Sequence, residues 1–396
     1  MASTDIDNLE QSLAFSLTEG GPGFALMKRL HLLHPKLGSG SARTALILMA
    51  LTWLALAILC LINGRAFSGV TVPFFYDLAA YGRFMIGVPV LVLADIPVGA
   101  RLRQVVKHFL EAHLIREEQM KDFGAILSDA LRLRDSRVAE LTIFVLVYLS
   151  TYNALAGVHF EQDSSWFRPL PGQGLTGVGY WYAFVALPIF QFLFFRWIYR
   201  MALWSRILWR ISKLDLLLTP THPDVAGGLA FLGKGLVPFG LILFALSAVV
   251  AGGIANRILY SGDQLRDFQS SYVALFVIAL IVFAGPVLVF VPDLMALKLR
   301  GLMEYGALGS QYTQAFHQRW IWRSETAGEP LLGSADIQSL ADLGNSFEII
   351  RKMRVLPIAI TDFIAMVLPG LLPVLPLLTT VMPLGEILKS LMKLIV

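Results

Sequence analysis

The side chains able to do chemistry in this sequence are few, and most are polar or charged groups set inside long apolar stretches. Asp77, Arg83 and Asp95 fall in one such stretch and Gln191 in another. Asp293 closes a third, and Asp362 lies one to two turns into a fourth. Charge is costly to hold in the hydrocarbon layer of a membrane, so these residues are candidates for transport or gating. Asp77 and Asp95 are eighteen residues apart, and on an ideal helix they share a stripe about 27 Å long. They would then sit near the two membrane faces, which simple interfacial placement explains equally well. Arg83 lies about 120° round the same helix from both, so its partner must come from another helix, a lipid phosphate or a water-filled cavity. Asp362 is followed by FIAMVLPGLLPVLPLL, which offers no exit to water. Gln191 and the band Tyr148, Ser150, Thr151, Tyr152 and Asn153 either line a cavity or bond to one another between helices.

The most distinctive polar segment is TPTHPDVAGG at 219–228. Pro220 and Pro223 stiffen it, Asp224 is placed to cap the next helix, and Gly227 and Gly228 permit close backbone approach. A histidine side chain can change charge near neutral pH, so with His222 the segment is either a rigid capped turn or a pH sensor. His222 and Asp224 are too few to hold a metal, and no metal or cofactor is expected. The following GLAFLGKG at 228–235 departs from the phosphate-binding loop, because Gly235 stands where a magnesium-holding Ser or Thr is needed and no strand precedes it. GxSxG, HExxH and paired-cysteine spacings are absent, Cys60 being the single cysteine. No catalytic residue is assigned, and the chain is not read as an enzyme.

These residues must be positioned by membrane helices. Of 396 residues 56% are hydrophobic and 15% charged, with a mean hydropathy of +0.66, far from the quarter of charged residues in ordinary soluble domains. Thirty-two basic against 28 acidic residues is too mild an excess for nucleic-acid binding. Seven stretches reach the length of about 20 apolar residues that a span requires: 44–63, 74–97, 138–158, 180–199, 236–256, 272–291 and 357–382. In the last, Pro369, Pro373 and Pro376 predict either a kink or two half-helices. Lys and Arg collect before the first stretch and after the second, fourth and sixth, which predicts a cytoplasmic N-terminus. The start, 1–23, is acidic and lacks the pattern of a cleavable signal, so the first span is expected to serve as an uncleaved one. Segments 26–34 and 384–396 read as amphipathic surface helices.

The expected architecture is therefore all-α, with about seven transmembrane helices. A cytoplasmic segment, 1–43, precedes unit I at 44–158, which carries a cytoplasmic helical insertion at 101–137. A connector helix occupies 159–211. Unit II covers 212–383 with a cytoplasmic segment at 294–354, and 384–396 closes the chain. GVPVLV followed by Asp95 in the second span matches GPVLV followed by Asp293 in the sixth, and His-Pro pairs precede the first and fifth. Those matches suggest a parallel repeat of spans 1–3 and 5–7.

The stretches at 219–233, 332–354 and 383–396 resemble a family of uncharacterised bacterial multi-pass membrane proteins. The resemblance implies the bacterial cytoplasmic (inner) membrane and brings no activity, ligand or site residue. The expected function is movement of a small ion or solute across that membrane, as a channel or secondary transporter assembled as a homo-oligomer. The alternative is a membrane scaffold or signal relay that binds a cytoplasmic protein partner through the charged inner helices. Small residues at packing spacing, Ser247/Ala251 and Ala248/Gly252, mark a tight helix contact within or between subunits.

Overall fold

A computed structural model describes residues 15–22, 39–156, 164–168, 174–322 and 335–379. Among them the chain is helical, with no strand beyond one isolated bridge between Val72 and Ser165. Nine long helices follow in order: α1 Gly40–Ile62, α2 Leu78–Glu111, α3 Met120–Arg134, α4 Arg137–Ala156, α5 Gly177–Ile211, α6 Phe231–Ser261, α7 Leu265–Ile321, α8 Ala335–Lys352 and α9 Ile360–Leu378. Six of these, α1, α2, α5, α6, α7 and α9, are long and apolar enough to cross a membrane. The expected surface helices at 26–34 and 384–396 lie outside the described residues.

Several predicted boundaries move. The second stretch opens not as helix but as a 3₁₀ turn, Phe74–Tyr76, and α2 begins only where Asp77 Oδ1 accepts the Ala80 N–H at 3.0 Å. It then runs well past the predicted end to Glu111, because polar residues continue the helix beyond the apolar run. The stretches at 180–199 and 236–256 are likewise the apolar centres of helices 35 and 31 residues long. The proline-rich last span is one continuous helical run, with a 3₁₀ turn at Leu372–Val374 absorbing the bonds its prolines cannot make.

Prolines also account for wider turns. Pro89 and Pro188 each stand two residues beyond a π-helical segment, Tyr81–Gly87 in α2 and Tyr182–Ala186 in α5. A proline ring presses on the carbonyl four residues back, and a π turn makes room for it. α1 carries a third such segment, Ala50–Leu54, where Thr52 Oγ1 takes the Leu48 carbonyl at 2.7 Å. Unwinding α2 between Asp77 and Asp95 removes the eighteen-residue register on which their shared stripe depended.

α5, expected as a connector, is the central pillar and touches α1, α2, α3, α4 and α7. α6 lies chiefly against α2 and α9, at very close range: a Cβ on Gly82 would come within 2.4 Å of the Ala248 carbonyl oxygen, and one on Gly252 within 2.4 Å of that of Leu78. The small residues of α6 therefore serve contacts inside the chain. α8 folds back along the far half of α7, with Gly301 near Ile350 and the Tyr312 hydroxyl donating to the Asp336 carbonyl at 3.0 Å. One apolar cluster joins α1, α2, α3, α5, α6, α7 and α9, and a smaller one gathers Ala251, Ile254, Ala255, Phe268 and Leu377.

Candidate functional site

The seam where α1, α2 and α5 meet gathers the buried arginines of the described residues. Towards one end, three of the five π-helical segments of the described residues meet. There the half-buried Arg83 donates from Nη1 to the Tyr182 hydroxyl at 2.9 Å, its guanidinium 5.8 Å from the Phe84 ring. Tyr182 is itself fixed edge-on against Phe84 and Trp166 and stacked on Phe167. Among the described residues no carboxylate pairs with Arg83. Trp181 Nε1 donates to the Leu51 carbonyl in the π turn of α1 at 3.2 Å.

At the other end of the seam, α5 presents Arg196 and Arg200, one turn apart and both buried. Arg200 grips Asp95 of α2 with two N–H groups and the Thr18 carbonyl at 2.6 Å with Nη2. Arg196 donates from Nη2 to the Gly20 carbonyl at 3.3 Å and forms no ion pair among the described residues. Together with Asp95, Thr44, Leu48, Leu91, Leu193 and Trp197, the two arginines line a cavity of about 30 Å³. The seam thus carries three guanidinium groups against one carboxylate. The sequence reading missed Arg196, although a cation inside the predicted 180–199 span was a visible clue. It also missed Tyr182, whose role no pattern announces.

The other candidates disperse. Asp77 is buried and accepts from Ala80 N, Asn256 Nδ2 at 2.7 Å and Trp166 Nε1 at 2.8 Å, joining α2 to the end of α6 and to the loop before α5. Gln191 accepts from Thr151 Oγ1 at 2.6 Å and donates to Ser150 Oγ at 3.1 Å, which makes it an α4–α5 crosslink. Asp293 is exposed on α7. Asp362 stands in the first turn of α9, its Oδ2 3.0 Å from where a Cβ on Gly233 would be, and a helix N-terminus favours a carboxylate there.

The 219–228 segment is a rigid capped turn. Asp224 Oδ1 accepts from Ala226 N at 2.8 Å and Gly228 N at 3.1 Å, and Oδ2 accepts from Ala230 N at 3.0 Å, with His222 Nδ1 2.9 Å from Oδ1. Burial works against the carboxylate here, but those three N–H groups and His222 hold it below the usual range. Pro223 is exposed beside them, while Gly227 and Gly228 take φ of +64° and +97°, which a side chain would oppose. Val225 is held at φ +50° by its carbonyl bond from Arg354 N at 2.7 Å.

No group of three or more His, Cys, Asp or Glu that could hold a metal ion exists among the described residues. No family model, curated protein or solved structure matches the chain.

Proposed function

We propose that the chain crosses the bacterial cytoplasmic membrane seven times and moves a small ion along the α1–α2–α5 seam, as one subunit of a homo-oligomer. In this reading α4 is the seventh span. Its 20 residues turn Val138, Leu141, Val145 and Leu149 outward, where lipid would cover them. The basic connections would lie in the cytoplasm, together with the N-terminus.

The observation that carries the proposal is Arg83. A guanidinium in the second turn of a helix long enough to cross a membrane, with a tyrosine hydroxyl and no carboxylate as its hydrogen-bond partner among the described residues, is an expensive arrangement that structural packing alone does not require. Its neighbours are π-helical segments, which recur where function outweighs helix stability. Flux through liposomes holding the purified protein, under separate potassium, sodium, chloride and proton gradients, tests it. A selective flux that Arg83→Gln abolishes, with folded protein recovered in equal yield, is the expected result. Absence of flux under every gradient from folded protein would refute it.

The scaffold reading retains one observation of its own. The α7–α8 hairpin leaves Met303 75% exposed, with Leu299 and Leu308 about half exposed, beyond the apolar core. Stoichiometric capture of a soluble protein that Met303→Asp releases would favour it.

A further inference from the structure

The seam's basic end is contacted by the chain itself. Residues 15–21 run across it, and four guanidinium groups from three helices reach for their carbonyls. Arg103 Nε of α2 donates to Phe15 at 2.9 Å and Arg134 Nη1 of α3 to Ser16, while from α5 Arg200 serves Thr18 and Arg196 serves Gly20. Phe15 and Leu17 are buried completely or nearly so, and anchor the segment. Its fit is close: Thr18 Oγ1 lies 2.2 Å from where a Cβ on Gly99 would be, so only glycine admits it. Gly21 N donates to Asp135 at 2.7 Å, and the Arg134 guanidinium holds that carboxyl below the usual range.

Arginine seldom settles for single carbonyls. A guanidinium carries five donors in a fork matched to anions. Arg200 and Arg134 have carboxylates of their own, Asp95 and Asp135, and Arg103 faces Glu19 of the segment at 3.9 Å. Arg196 has only the Gly20 carbonyl, with Glu140 acting on it at longer range, and it borders the cavity while 8% exposed. At about 30 Å³ that cavity has room for water or a small anion.

We infer that this cavity is a binding site for a halide-sized anion, held by Arg196 and Arg200, and that residues 15–21 are its built-in stopper. Asp95 neutralises Arg200, so the charge left for an incoming anion is that of Arg196. The segment is displaceable because its grip is mostly neutral carbonyls and two apolar anchors, with one N–H bond to Asp135 and the distant Glu19–Arg103 pair beside them, and the anchors can be replaced without touching the site. The anion would be the species the seam moves, and to that extent the inference rests on the proposed function.

The test is chloride-35 NMR line broadening on the full-length protein in detergent, in gluconate buffer of constant ionic strength, with bromide as competitor. Saturable broadening displaced by bromide is expected, weakened at least about tenfold in Arg196→Gln and kept in Arg196→Lys. The double variant Phe15→Ala/Leu17→Ala, with Arg196 intact, is expected to bind about tenfold more tightly or exchange faster, and it serves also if Arg196→Gln does not fold. Broadening absent from both wild type and double variant, or unchanged by Arg196→Gln, means a water-filled cavity and overturns the site. Equal affinity and exchange in wild type and double variant overturn the stopper. Arg196-dependent binding without flux would refute transport and leave the site standing; flux without such binding would do the reverse.

Discussion

Asp224 shows how a single carboxylate can organise ten residues of chain. Its three backbone hydrogen bonds satisfy N–H groups at 226, 228 and 230 that the turn leaves without other partners, and Arg354 ties the same turn to the segment after α8. Replacing it by alanine exposes those donors to no acceptor, at a cost of about 2 kcal/mol. The pH dependence has a definite sign. The folded carboxyl titrates below its unfolded value of about 4, so the stabilisation is complete above that value and disappears as pH falls through the lower folded one. Asp224→Asn cannot make this exchange. The gap in thermal midpoint between wild type and Asp224→Asn is therefore expected to be widest near pH 6 and to close towards pH 3. A gap constant over that range would mean that the charge does not matter to the turn. Capping was legible here because Asp, preceded by two prolines and followed by two glycines, has few other uses. The same logic extends to Asp77, whose partners, Asn256 and Trp166, are 179 and 89 residues away and could not be read from local spacing.

Between elements, close packing decides what the sequence pattern leaves open. α6 carries Gly252 and Gly253 side by side, and only one of them meets a neighbour. A Cβ at Gly252 falls 2.4 Å from the Leu78 carbonyl oxygen, whereas at Gly253 nothing lies within 4 Å. Gly252→Ala is expected to force α2 and α6 apart at a cost of about 1–3 kcal/mol. Gly253→Ala is expected to be neutral or to stabilise by about 0.5–1 kcal/mol through the loss of glycine's chain entropy. Thermal unfolding of both proteins in the same detergent decides it, and equal losses would mean that the contact is not the constraint. The small-residue stripe told of a tight contact, yet its partner was invisible because every apolar helix offers similar surface. Positions of the apolar stretches were readable for the same reason that register was not: hydropathy averages over turns, while a π segment changes the path by one residue. Pro89 and Pro188 contained that information, but a proline two residues after a π turn looks in sequence like any other membrane proline. Arg196 was readable in principle, since its place inside an apolar run is the same observation that singled out Arg83.

At the scale of the molecule, the charge asymmetry and the helix order together make a claim about sidedness that chemistry can check. Cys60 is buried in α1 and is the only cysteine, so the chain offers almost no background to a membrane-impermeant maleimide. Ser261 is exposed at the end of α6 and Ser310 is exposed far along α7, with a long apolar run between them that begins at Tyr272. If that run crosses the bilayer, the two positions face opposite compartments. Lys and Arg gather on the Ser310 side, which the positive-inside rule places in the cytoplasm. In intact spheroplasts Ser261→Cys is expected to be labelled and Ser310→Cys is not, and in inverted vesicles the pattern is expected to reverse. The reverse pattern in spheroplasts would invert the topology and put residues 15–21, with the arginines that hold them, on the outer face. Labelling of both positions from one face would mean that α7 does not span, and the charges along α5 would then have to be explained without a membrane field across them.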